Sequence, residues 1–134
     1  METLPKLPRR PTFKQDQKVR NSNLGGGVYV AGGTASITDS TIGHNEALAG
    51  NGAGGGSGGN GSGGGVYVDA AATLIVSASD ITHNLAQGGR GADGGMDGTG
   101  MGGGVYNLGT FLFDPATLIT GNHASTSNDD GFGY

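Results

Sequence analysis

The sequence predicts an all-β fold, a parallel β-solenoid of about three coils, on three observations. The pentapeptide GGGVY occurs at 25–29, 63–67 and 102–106, at intervals of 38 and then 39 residues. Each copy opens a unit that closes on isoleucine-x-x-asparagine, at Ile42/Asn45, Ile81/Asn84 and Ile119/Asn122. No stretch places apolar residues at helical spacing over three turns. A repeat of this size, with short strands and no helical period, suits one coil of a solenoid.

The chain begins with a basic segment, 1–18, expected to be a flexible solvated tail ahead of a repeat domain over 19–134. Residues 1–20 hold six of the seven lysines and arginines. Beyond them Arg90 is the only such base, against nine acids. A body of that charge neutralises few phosphates, which argues against nucleic acid as a partner. METLPKLPRR is not followed by the apolar core of a secretory signal. No run approaches the roughly 20 apolar residues of a membrane-spanning helix. Cysteine is absent, so neither a disulfide framework nor a thiolate metal site is available.

Within each unit the glycines supply backbone freedom at a corner. The segments ASIT, TLIV and TFLF are rich in β-branched or aromatic residues and predict strands. Coils stacked about 4.8 Å apart align equivalent residues into ladders. Val28, Val66 and Val105 form one inward ladder, and Ile42, Ile81 and Ile119 another. Asn45, Asn84 and Asn122 form a third, at a turn where amides bond from coil to coil. The full inward set adds Val30, Ile37, Val68, Leu74, Val76, Phe111 and Phe113.

Two glycine-rich spacers, 46–62 and 85–101, separate the units and are of equal length. Equal length at equivalent positions predicts two insertions leaving the stack side by side at one corner. They are expected to be exposed, mobile and tolerant of deletion, because glycine loses the most entropy on ordering.

A glycine run with valine, paired with aliphatic-x-x-Asn, resembles the repeats of right-handed parallel β-helix proteins of bacterial surfaces. The pattern is similar to the GGA-[I/L/V] and F-x-x-N repeats of the chlamydial polymorphic outer membrane proteins. Here the motifs read GGGV and IGHN, ITHN and ITGN, with isoleucine in place of phenylalanine, over residues 25–124. The resemblance implies a right-handed, pectin-lyase-like β-helix at the cell surface or outside the cell. β-Helices serve adhesins, polysaccharide enzymes and plain stalks, so it leaves function open.

If the valines point inward, Tyr29, Tyr67 and Tyr106 point outward and form an aromatic ladder that could take sugar faces or simply cover the wall. His44 and His83 share a repeat position about 5 Å apart, with no aligned third ligand. GGRGADGGM at 88–96 partly matches a calcium nonapeptide, which makes Asp93 and Asp97 the Ca2+ candidates. Asp39, Asp69, Asp80 and Asp114 share no ladder, whereas a β-helix glycosidase needs acids converging on one face. A polyuronate lyase needs cationic partners that one arginine does not supply. The favoured reading is therefore a non-enzymatic structural or adhesive segment without a cofactor, the alternative a polysaccharide-binding or remnant polysaccharide-active β-helix. Both ends read as cut coils, VRNSNLGGGVY and NDDGFGY, with no evident cap, which predicts a segment of a longer solenoid or end-to-end self-association. A cell-surface or carbohydrate ligand is the other expected partner.

Overall fold

The computed structural model describes residues 22–134; the basic segment 1–18 lies outside them. The described residues contain strands and no helix. The first unit supplies β1 (Asn23–Leu24), β2 (Val28–Val30), β3 (Gly33–Thr38), β4 (Thr41–Gly43) and β5 (Glu46–Leu48). The second supplies β6 (Gly61–Ser62), β7 (Val66–Val68), β8 (Ala72–Ser77), β9 (Asp80–Thr82) and β10 (Leu85–Gln87). The third supplies β11 (Gly100–Met101), β12 (Val105–Asn107), β13 (Thr110–Phe113), β14 (Leu118–Thr120) and β15 (His123–Ala124), and β16 (Gly131–Phe132) follows. Each strand pairs in parallel with its counterpart in the next unit, giving five sheets, an arrangement compatible with a β-solenoid.

The register follows the repeat. Val28 pairs with Val66 and Val66 with Val105, while Ile42, Ile81 and Ile119 align in the same way. Alternation along β8 sends Ala72, Leu74 and Val76 into the core and leaves Ile75 exposed. The core cluster contains Val30, Ile42, Val66, Val68, Leu74, Val76, Ile81, Val105 and Phe111, with Val28, Ile37 and Ile119 packed against it. The expected inward set is thus recovered except at Phe113, which is 46% exposed. Ala47, Ala86 and Ala124 form a further buried ladder that a pattern of large apolar residues does not reveal.

Each glycine of GGGVY has its own physical reason. Gly25, Gly63 and Gly102 have φ of 70°, 67° and 63°, the left-handed corner that favours glycine. A Cβ on Gly26, Gly64 or Gly103 would collide with one backbone carbonyl of the adjacent coil and one of its own coil, that of Glu46, Leu85 or His123. A Cβ on Gly27, Gly65 or Gly104 would lie 2.7–2.8 Å from the side-chain nitrogen of Asn45, Asn84 or Asn122. The glycine run and the asparagine are therefore one packing unit.

The spacers do lie side by side, but they are built structure rather than open loops. Their ends are β5, β6, β10 and β11. Their middles, 49–60 and 88–99, form two stacked arms. Gly52 donates to the Arg90 carbonyl and Gly58 to that of Met96, both between arms. Gly59 donates to Gly50 and Gly98 to Gly89, both within an arm, and Gly89 donates to Gly59 across the pair. Gly58, Gly59 and Gly89 are buried, and a Cβ on Gly58, Gly89 or Gly98 would collide with a carbonyl of the other arm. Glycine serves close backbone approach here, which the expectation of mobile, exposed loops overlooked.

Candidate functional site

The repeated polar and aromatic side chains meet their own counterparts. Backbone N–H and Nδ2 of Asn45 both donate to Asn84 Oδ1, at 2.9 and 3.0 Å. The same two groups of Asn84 donate to Asn122 Oδ1, at 3.0 and 2.9 Å. Asn84 Nδ2 also reaches the Ile42 carbonyl and Asn122 Nδ2 the Ile81 carbonyl, both at 2.9 Å. This explains the fixed spacing of isoleucine and asparagine. The ladder ends on Asp130, whose Oδ1 accepts from Asn122 N–H and Nδ2 at 3.1 and 3.0 Å. A carboxylate accepts without needing to donate onward, so it suits a terminal rung.

The left-handed residue before each asparagine explains the histidines. His44, His83 and Gly121 have φ of 58°, 56° and 67°. Glycine in the third copy was the available signal for this backbone. The two imidazoles stack in parallel with centroids 5.2 Å apart.

Tyr29, Tyr67 and Tyr106 stack at 5.2 and 5.3 Å, and Phe132 extends the column at 4.7 Å. The core cluster holds the valines on either side and leaves the tyrosines out. Tyr67 is nevertheless only 7% exposed because its neighbours cover both ring faces, while Tyr29 is 46% exposed. Tyr29 Oη donates to Asp69 Oδ2 at 3.1 Å, and that bond raises the Tyr29 phenol pKa. Burial raises that of Tyr67.

A second polar ladder escaped the sequence reading. Ser40 N–H donates to Ser79 Oγ at 3.0 Å, and Ser79 Oγ donates to the Ser77 carbonyl. Thr117 takes the equivalent place in the third coil, because Asp80 donates to Ser40 and Leu118 to Ser79. Asp114 accepts from Thr117 Oγ1 at 2.8 Å and from Ala78 N–H at 3.1 Å, which holds its carboxyl below the ordinary value. Small hydroxyl residues vary in type from coil to coil, so no motif marks them.

The acids remain apart. Asp80 aligns with Thr41 and Leu118. Asp97 Oδ1 accepts from Gly91 N–H at 2.8 Å within the second arm, and Asp93 occupies a turn with φ of 46°. Among the described residues no group of three or more histidines and acids is placed to hold a metal ion. Among the described residues no helix is long and apolar enough to cross a membrane. An open cleft of about 350 Å³ lies where the arms leave the body, lined by Leu48, Ala49, Asn51, Gln87, Gly88 and Arg90.

Residues 125–134 cover the third coil. Gly131 pairs with Val105 and Phe132 with Tyr106. Tyr134 packs on Phe111 and Phe113, with centroids 5.1 and 5.5 Å away. Asn107, at the position of Val68, holds the segment by donating to the Gly133 carbonyl at 2.7 Å. No such cover was legible in NDDGFGY. The class defined by this geometry is a stacked parallel β-protein whose repeated side chains bind one another. No family profile, curated protein or solved structure matches the chain.

Proposed function

We propose that the chain is a right-handed parallel β-helix segment serving a structural or adhesive role in a surface or secreted protein. The observation that carries this reading is the asparagine ladder. Its side chains bond to each other in sequence from Asn45 to Asp130, so the most regular polar feature of the repeat is devoted to stacking coils. The tyrosines follow the same logic, ring against ring. The glycine and asparagine motifs of surface β-helices support handedness and location.

The test separates stacking from ligand binding. Tyr67→Ala is compared with the unaltered chain by urea unfolding and by retention on immobilised glycans. The structural role predicts lower stability from the loss of a buried aromatic, on the order of 2–4 kcal/mol. It also predicts that any glycan retention survives the change once folding is matched by temperature. Unchanged stability with abolished retention would overturn it.

A further inference from the structure

We propose that the cleft at the base of the arms binds a sugar unit bearing one carboxylate, of the uronic-acid class, through Arg90. Arg90 is the only lysine or arginine among the described residues. Its guanidinium has no ion pair or hydrogen bond to any described residue, and its side chain is exposed at the cleft. Its backbone is fixed, because Arg90 N–H donates to Asn51 Oδ1 at 2.8 Å and the Arg90 carbonyl accepts from Gly52. The cation is thus carried on an ordered support while its donors stay available. An arginine fork matches a carboxylate by two parallel hydrogen bonds.

The other lining groups fit the rest of a sugar. Gln87 points outward from β10 and makes no side-chain hydrogen bond to a described residue, so its amide offers both a donor and an acceptor. Asn51 spends its Oδ1 on Arg90 and keeps its Nδ2 donors for hydroxyls. Leu48 and Ala49 add an apolar wall. A volume of about 350 Å³ accommodates one or two sugar rings. Charge sets the ligand class further: residues 22–134 carry nine acids and one arginine in all, so their net field disfavours a densely charged polyanion. Glu46 lies on the same strand as Leu48 and reinforces that discrimination.

The site is independent of the stacking role, because none of its side-chain groups belongs to a ladder between coils except Asn51 Oδ1. The experiment follows backbone amide shifts of the full chain by nitrogen-15 NMR during titration with D-glucuronate to about 10 mM, well above a millimolar dissociation constant. Saturable shifts at Gln87, Gly88 and Arg90 are expected with glucuronate and not with D-glucose. Arg90→Gln should abolish them, and Arg90→Lys and Gln87→Ala should each weaken binding about tenfold. Equal shifts with acetate or sulfate would overturn the sugar assignment. No shift with glucuronate, or shifts that persist in Arg90→Gln, would overturn the site. An unchanged spectrum outside the cleft shows that the variants fold.

Discussion

At the residue scale, Asn84 is the most deeply buried rung of the asparagine ladder. It accepts from Asn45 twice, and its Nδ2 donates to Asn122 and to the Ile42 carbonyl, at 1% exposure. Asn84→Ala orphans those partners in a buried place and should cost about 2–4 kcal/mol by urea unfolding. Asp130→Ala should cost less, about 1–2 kcal/mol, and Asp130→Asn should restore most of it, since an amide oxygen still accepts. Two titrations bound the pH range. The Asp114 pKa lies below 3.8 in the folded chain, chiefly through Thr117, so its contribution is present above that value and lost as pH falls through the lowered one. The Tyr67 pKa lies above 10.0, chiefly through burial, so its contribution is present below 10.0 and lost as pH rises beyond. Unfolding midpoints measured against pH should drop on both limbs, with Asp114→Asn flattening the acid limb and Tyr67→Phe the alkaline one. The asparagine and tyrosine ladders were legible because the same residue type recurs at a fixed interval. Ser40, Ser79 and Thr117 were not, because the ladder needs only a small hydroxyl and tolerates exchange.

At the element scale, the arms are the instructive case. In register, Gln87 aligns with Leu48 and Gly100 with Gly61, so 49–60 and 88–99 are inserted at one point. The third coil closes there without an arm: Ala124 aligns with Ala86, and Ser127 bridges Met101. Ser125 donates its backbone N–H to Ala86, and Thr126 donates to Gly100. The chain itself therefore demonstrates the short connection. Removing 49–60 and 88–99 together should preserve the ladders and change the unfolding free energy by less than about 2 kcal/mol, since most arm bonds are made within an arm or between the two. Removing one alone should be worse, because it strips the partner's hydrogen bonds. Gly58→Ala should disorder the arms, read as faster amide exchange at Gly52 and Gly98, because its Cβ meets the Gly89 carbonyl. Sequence placed the insertions within 46–62 and 85–101 and showed that they match, but not that the ends of those spacers are strands. It could not show their packing, because a glycine kept for mobility and a glycine kept for close approach are the same letter. The arm cleft was equally hidden, since it arises where two segments remote in sequence diverge.

At the scale of the whole molecule, stability is spread along the stack, each coil bonding chiefly to its neighbours. The described edges of β13 and β14 have one partner strand each, as do those of β3 and β4. Exposed Leu112, Phe113 and Leu118 lie on or beside the former pair. Open parallel edges beside apolar side chains favour pairing with another chain. Sedimentation should therefore show concentration-dependent association, and Leu112→Lys with Leu118→Lys should suppress it without unfolding the chain. Open strand edges were foreseeable from a solenoid's geometry, whereas the seating of Tyr134 against Phe111 follows the left-handed Gly133, beyond the last residue that aligns with the repeat. All of these expectations depend on one arrangement, parallel coils stacked in register at the repeat interval. Long-range NOE contacts in solution test it most directly. The register predicts cross-peaks between Val28 and Val66, Val66 and Val105, Ile42 and Ile81, and Ile81 and Ile119, all of parallel type. Antiparallel contacts among these strands, or contacts displaced from those pairs, would contradict it.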